Sequence, residues 1–422
     1  MNCRVEKSSL SGTITCPPNK SYTHRAIFLA SLASGKSLIK NALRSRDTNA
    51  TIEICKSFGA EIQENENNLE VIGIDKFGTT DLIVDASNSG TSIRIAAAVA
   101  ALREGKTVLT GDESLKKRPM KPLLDALESL GAKCSSNDGK PPLTISGRMR
   151  GGEVSIPGNV SSQFISALLV AAPLTEKGVA LNISSDLVSK PYLDATIITM
   201  EKFGVKVKVL DQYKKYKIEP QQYKHATITI PSDFSSVALL LSAAVLVGRD
   251  LTIKASVGNL AQGDEAIIDI LGKLGVNVSM DSNTITVKSP EKLRGGKFDL
   301  ANTPDLLPPL SILALKSEFP IELYNVRHAR FKETDRIAIL ARELQKLGIN
   351  VTEKEDGLIL GPPKELRGAS LNSENDHRLF MAFCIAAMYV GGCTVSDSDS
   401  VDVSYPSFVS DMSRAGAKIS TH

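Results

Sequence analysis

PPNKSYTHRA, residues 17–26, sets a lysine, a hydroxyl and an arginine directly after two prolines. Proline fixes φ and donates no hydrogen bond, so Pro17-Pro18 makes a stiff corner. The apolar run AIFLASLA that follows is helical in pattern, which puts Lys20, Ser21 and Arg25 at the start of a helix. A helix N-terminus offers free N–H groups and partial positive charge. With two cations added, it becomes an anion site.

The same chemistry recurs along the chain. DASNSGTSIR (85–94) sets Asn88, Gly90 and Thr91 before a helix expected to begin at Arg94. KKRPMKPL (116–123) holds Arg118 at a proline-bounded corner, and NVSSQFISALL (159–169) puts Ser161, Ser162 and Gln163 at a helix start. VSKPY carries Ser189, TPDLLPPL carries Asp305 between prolines, RFKETDR packs Lys332, Glu333, Asp335 and Arg336 together, and ENDHR places Arg378 ahead of an apolar helix. Singly, these are capping sequences or ion-paired surface turns. Together they imply two anions held at once, because forked arginines suit phosphate and carboxylate.

Other chemistries find no support. SGKSL (34–38) lacks the upstream glycine of a phosphate loop, Ala30 standing there, so Gly35 reads as a helix stop and Lys36 as solvated. His24, His225, His328, His377 and His422 have no metal-ligand spacing, and neither HExxH nor GxSxG occurs, so no metal site is expected. Six scattered cysteines fit free thiols in a reducing compartment. Fifty basic against 47 acidic residues leave a net charge of +3, which argues against a nucleic-acid or membrane partner. The start MNCRVEKSS has no apolar signal core, and VALLLSAAVLV (237–247) is too short to span a bilayer. A cytoplasmic protein is expected.

The elements that carry these residues repeat. FGAEI at 58, LGAKC at 130, FGVKV at 203, LGVNV at 274, LGINV at 347 and AGAKI at 415 recur at intervals of 72, 73, 71, 73 and 68 residues. Each follows a helical pattern, and each glycine reads as a helix stop before a strand. Six α/β units of βαβ type therefore divide into two groups of three. A chain of 422 residues is too long for one ordinary core. One domain is expected to comprise residues 1–18 and 231–422, the first segment lending a strand, and the other residues 19–230. Two crossings suggest a hinge, with the ligand site in a cleft between the domains.

The set NKSxxxR, NSGTxxR, KKRPM, SSQFxSALL, SKPY, TPD, KETDR and NDHR resembles the 5-enolpyruvylshikimate-3-phosphate (EPSP) synthase family of enolpyruvyl transferases, in order over the whole chain. The resemblance implies an inside-out α/β barrel in each domain and a monomer without cofactor. It implies transfer of enolpyruvyl from phosphoenolpyruvate to the 5-hydroxyl of shikimate 3-phosphate. Lys20, Ser21, Arg25, Ser161, Ser162, Gln163, Ser189, Asp305 and Lys332 would meet shikimate 3-phosphate. Lys20, Gly90, Arg118, Gln163, Arg336 and Arg378 would meet phosphoenolpyruvate, against which glyphosate competes in this family. Asp305, Glu333 and Lys332 would share the proton transfers.

Two positions depart from the family pattern. Val403 stands where many relatives carry a lysine, and His328 where some carry asparagine, which makes His328 a further candidate for shikimate 3-phosphate. Two other readings compete. A UDP-N-acetylglucosamine enolpyruvyltransferase typically has a reactive cysteine, sometimes an aspartate, in the loop matching GDESLKKRPM, which has no cysteine, and SSQF and SKPY fit the EPSP synthase family better. A non-enzymatic anion-binding repeat protein has no need of Asp305 and Glu333 beside the cations.

Overall fold

The computed structural model describes residues 1–421 except 257 and 259; His422, counted among the histidines above, lies outside the described residues. Two compact units emerge: Met1–Pro17 with Pro231–His422 (unit 1), and Pro18–Ile230 (unit 2). The chain passes between them at Pro17–Pro18 and again at Ile230–Pro231.

Twelve α-helices are described: α1 (Lys20–Leu32), α2 (Arg46–Ser57), α3 (Gly90–Ala100), α4 (Lys121–Ser129), α5 (Ser162–Ala171), α6 (Lys190–Lys202), α7 (Phe234–Val247), α8 (Ile267–Lys273), α9 (Leu307–Ile312), α10 (Arg336–Lys346), α11 (His377–Val390) and α12 (Phe408–Arg414). Between them the described residues form six four-stranded sheets, five of them built alike and the sixth completed by the chain start. An edge strand such as Gly152–Ile156 pairs in parallel with the strand beyond an odd-numbered helix, Val179–Ile183. An even-numbered helix then leads to an antiparallel hairpin that completes the sheet. This is the α/β architecture of three repeated βαβ-type units per domain that the sequence implies.

The glycines of the six recurring strings stop the even-numbered helices. Gly59, Gly131, Gly204, Gly275, Gly348 and Gly416 all have φ between 81° and 110°. A side chain is strained there, and glycine is not. The odd-numbered helices form the interior of each unit: α1, α3 and α5 pack together in unit 2, and α7, α9 and α11 in unit 1. Every residue of α7 is buried, so the VALLLSAAVLV run is the central helix of a core. Among the described residues no helix is long and apolar enough to cross a membrane.

The chain start departs from expectation, with two strands rather than one. β1 (Asn2–Val5) completes the sheet of the last repeat, lying between the strands Cys393–Ser396 and Ile419–Thr421. β2 (Leu10–Thr15) pairs in parallel with Gly248–Lys254 of unit 1, although it precedes α1 of unit 2. Conversely Thr227–Thr229, which precedes α7 of unit 1, pairs with Lys36–Lys40 of unit 2. Each unit thus takes the edge strand of its first repeat from the segment just before a crossing.

Candidate active site

In each unit the candidate residues gather near the N-terminal ends of helices, both interior and even-numbered. In unit 2, Asn19 caps α1 by accepting from the Tyr22 amide at 2.8 Å. Lys20 follows, its Nζ 3.1 Å from Asp47 Oδ2 at the start of α2. Ser21 lies beside it, half-buried. Arg25, one turn on, is 2% exposed. It donates to Thr196 Oγ1 at 2.8 Å and to the carbonyls of Ser21 and Tyr192 at 2.9 Å. Burial lowers its pKa to about 10, against the aid of Tyr22 and Tyr192.

Helix α3 begins at Gly90, four residues earlier than the sequence suggests, because Ser89 caps it by accepting from the Ser92 amide. Arg94 therefore lies one turn inside. Gly90 is not among the positive-φ glycines. Its lack of a side chain serves close approach instead. A Cβ there would lie 2.8 Å from Arg118 Nη1, 3.0 Å from Arg94 Nη1 and 3.5 Å from Gln163 Oε1. Arg118 donates to Asn88 Oδ1 at 3.0 Å, Arg94 donates to Gln163 Oε1, and Gln163 Nε2 donates to Thr91 Oγ1 at 3.1 Å. The Arg94 guanidinium also stacks over Phe164, 5.0 Å from the ring centre.

At α5, Ser161 is the cap, accepting from the Gln163 amide at 3.3 Å, and Ser162 is buried. Ser189, 5% exposed, precedes α6 in the left-handed region at φ 56°. A serine held there stores backbone strain, and such strain concentrates at functional positions.

Unit 1 surrounds its cations with carboxylates. Asp305 precedes α9 and is 7% exposed. Its Oδ1 lies 2.8 Å from Arg336 Nη1 and 3.6 Å from Lys332 Nζ, and its Oδ2 lies 3.3 Å from Arg378 Nη2. Arg336, at the start of α10, also meets Glu333 Oε2 and Asp376 Oδ2, both at 2.7 Å. Asp376 caps α11 and so holds the arginine of one helix against the N-terminus of another. Arg378 sits in the first turn of α11 rather than ahead of it.

Electrostatics separates the groups. Burial opposes the charge on Arg336, but Asp376, Glu333 and Asp305 outweigh it and hold its pKa above the usual arginine value. Burial lowers the pKa of Lys332 despite Asp305. His328 is pushed down to about 4 by burial and then by Lys332, so the ring is neutral at pH 7. Its Nε2 has no hydrogen-bond partner among the described residues. Asp264 is pushed up to about 7, first by burial and then by the charge of Asp305. Ser235 Oγ donates to Asp264 Oδ2. Val403 is buried at 2% exposure, so an apolar side chain fills the position where the resemblance has a lysine.

A family model described as EPSP synthase (3-phosphoshikimate 1-carboxyvinyltransferase) matches residues 5–412. The chain belongs to the EPSP synthase family. A 3-phosphoshikimate 1-carboxyvinyltransferase of Nitrosopumilus maritimus is 63% identical over 99% of both chains. One of Methanosarcina acetivorans is 43% identical, again over 99% of each. Among solved structures, an EPSP synthase of Acinetobacter baumannii superposes with a TM-score of 0.80 at 25% identity, covering 100% of both chains. The enolpyruvyl transferase NikO of Streptomyces tendae shares the fold, with a TM-score of 0.78 at 18% identity over 99% of this chain and 98% of its own.

Within the EPSP synthase fold, unit 2 brings Gly90, Arg118 and Gln163 together and ties Lys20 and Arg25 to α1. Unit 1 brings together Asp305, Lys332, Glu333, Arg336 and Arg378, with His328 near Lys332 and Asp305. Sequence reading gave no role to Asp47, Asp264 or Asp376, and named Arg94 only as a cation. Asp264 in AQGDEA and Asp376 in ENDHR look like ordinary helix-start acids. Arg94 had a signal in NSGTSIR, since a helix begun at Gly90 turns residue 94 back over residue 90.

Proposed function

We propose that the chain transfers the enolpyruvyl group of phosphoenolpyruvate to the 5-hydroxyl of shikimate 3-phosphate, releasing phosphate, and that residues of both units act on this one substrate pair. The reading is carried by whole-length similarity to 3-phosphoshikimate 1-carboxyvinyltransferases. Chemically, it is supported by the contrast between a guanidinium-lined glycine and a carboxylate-rich cation cluster.

Lys20, Ser21, Arg25, Ser161, Ser162, Gln163, Ser189 and His328 hold shikimate 3-phosphate, with Asp305 and Lys332 at its hydroxyls. Phosphoenolpyruvate takes the other set. Its carboxylate and phosphate approach Gly90, Arg118, Gln163, Arg336 and Arg378, with Lys20 near both ligands. The bare Cα of Gly90 lets backbone and ligand come close.

The 5-hydroxyl oxygen adds to C2 of phosphoenolpyruvate while its proton passes to a base. C3 takes a proton from an acid, and the tetrahedral adduct still carries its phosphate. As phosphate departs, C3 gives up a proton and the enol double bond re-forms. Asp305, Glu333 and Lys332 are the groups that take and give these protons. Lys332, with its pKa lowered by burial, releases a proton more readily than an exposed lysine. The surrounding arginines stabilise charge on the adduct as phosphate leaves.

Phosphate release is measured with phosphoenolpyruvate and either shikimate 3-phosphate or UDP-N-acetylglucosamine. Release with shikimate 3-phosphate alone is expected. Release with UDP-N-acetylglucosamine, or with neither acceptor, overturns the reading.

A further inference from the structure

Four buried polar side chains run in a line through unit 2. His24 Nδ1 on α1 lies 2.6 Å from Thr51 Oγ1 on α2. Thr51 Oγ1 lies 2.6 Å from Ser92 Oγ on α3. Ser92 Oγ lies 2.6 Å from Ser89 Oγ, the cap of that helix. All four residues are 0% exposed. The two ends carry candidate site residues: His24 shares α1 with Lys20 and Arg25, and Ser89 immediately precedes Gly90.

We propose that His24, Thr51 and Ser92 are positioning residues that lock the Ser89 cap and so fix the backbone of Gly90 against Arg118 and Arg94. The role rests on the function proposed above, because Gly90 is taken as part of the phosphoenolpyruvate site.

The direction of the bonds follows from the donors. Ser89 Oγ accepts from the Ser92 amide at 3.1 Å and from the Ser92 hydroxyl. With its hydrogen on Ser89, Ser92 Oγ accepts from Thr51 at 2.6 Å, a shorter contact than the 3.3 Å from Thr51 Oγ1 to the Asp47 carbonyl. Thr51 then has no hydrogen left for His24, so His24 Nδ1 carries the proton and donates to Thr51. The remaining ring nitrogen, Nε2, has no hydrogen-bond partner among the described residues. In this direction Nε2 is only an unused acceptor. The reverse direction would bury an N–H donor without an acceptor, which costs more. Burial, with Lys20 and Arg25 nearby, holds the His24 pKa well below the ordinary value, so the ring stays neutral and its single proton stays in the chain. A hydrophobic core needs none of this, since three apolar residues would fill the same space without a defined direction.

The chain is tested in two ways. Nitrogen-15 NMR of the His24 ring in wild-type protein, without substrate, should show Nδ1 protonated and no titration from pH 5 to 9. A ring protonated at Nε2, or one that titrates in this range, overturns the proposal whatever the enzyme's substrates are. In kinetics, Thr51→Val keeps the shape but breaks the line. It should raise the KM for phosphoenolpyruvate roughly tenfold, the scale of one buried polar group losing its partner. The KM for shikimate 3-phosphate should change less, and Thr51→Ser should restore both constants. Should Thr51→Val not fold, Ser92→Ala breaks the line one link later and should show the same selective rise. A loss of stability with no selective change in the KM for phosphoenolpyruvate would make the line ordinary core and overturn the proposal.

Discussion

Arg25 and Arg336 are both almost completely buried, yet their surroundings differ in kind. Arg25 in unit 2 donates to a hydroxyl and two backbone carbonyls, and burial lowers its pKa to about 10. Arg336 in unit 1 touches three carboxylates, which push its pKa up. A guanidinium held by neutral oxygens keeps a favourable field for an incoming anion. One ringed by carboxylates instead holds those acids in place. In the function proposed above, both sets of helix starts would bind anions and the carboxylate-rich set alone would move protons.

The sharpest way to break this contrast is through Asp305. If unit 1 performs the proton transfers, Asp305→Ala should lower kcat by about 10²–10⁴-fold, the range of general acid–base groups. Affinity for shikimate 3-phosphate, measured by calorimetry, should fall far less. Abolished binding would show Asp305 to be chiefly a holding residue, with the base elsewhere.

The two arginines should also differ in stability. Arg336→Met leaves three carboxylates without their shared cation and should cost about 3–5 kcal/mol, the scale for breaking a buried ion pair. Arg25→Met strands neutral acceptors, and the expected cost is smaller, about 1–3 kcal/mol. Denaturant unfolding of the full chain reads both, and equal losses would erase the distinction.

Gly90 tests the phosphoenolpyruvate contacts proposed for unit 2. An alanine methyl would press on Arg118 and Arg94, whose side-chain ends can shift. Glyphosate is longer than phosphoenolpyruvate, so Gly90→Ala should raise the glyphosate inhibition constant by a larger factor than the KM for phosphoenolpyruvate. The protein with Gly90 should be glyphosate-sensitive. Equal factors would mean general damage to the donor pocket.

Asp264 gives the smallest and most pH-specific effect. Its folded pKa, raised to about 7, lies above the unfolded carboxyl value of 3.8. Its contribution is therefore fully present at low pH and is lost as pH rises through 7. Asp264→Asn removes that loss. The stability of the variant relative to wild type should climb between about pH 4 and pH 7, in denaturation series across that window. A difference that stays flat with pH would show that Asp264 is not held protonated.

Much of this molecule is local and therefore legible in its order of residues. A glycine with φ near 100° after an amphipathic helix writes itself into sequence as FGAEI or LGINV, because no other residue stops a helix there as cheaply. Helix-start clusters such as SSQF and KETDR are likewise a few residues long. Helix caps were read less well: α3 starts at Gly90 because the Ser89 hydroxyl reaches the Ser92 amide, a choice that neighbouring Asn88 and Thr91 could also have offered. What only the tertiary structure decided are pairings across long stretches of chain. Examples are Gly90 with Arg118 and Gln163, Arg336 with Asp376, Asp264 near Asp305, and His24 joined through Thr51 to the cap of α3. The pairing of β2 and of Thr227–Thr229 with strands distant in sequence belongs with them. A strand's own residues state that it is a strand, but its partner lies far along the chain and leaves no mark in the strand's own pattern.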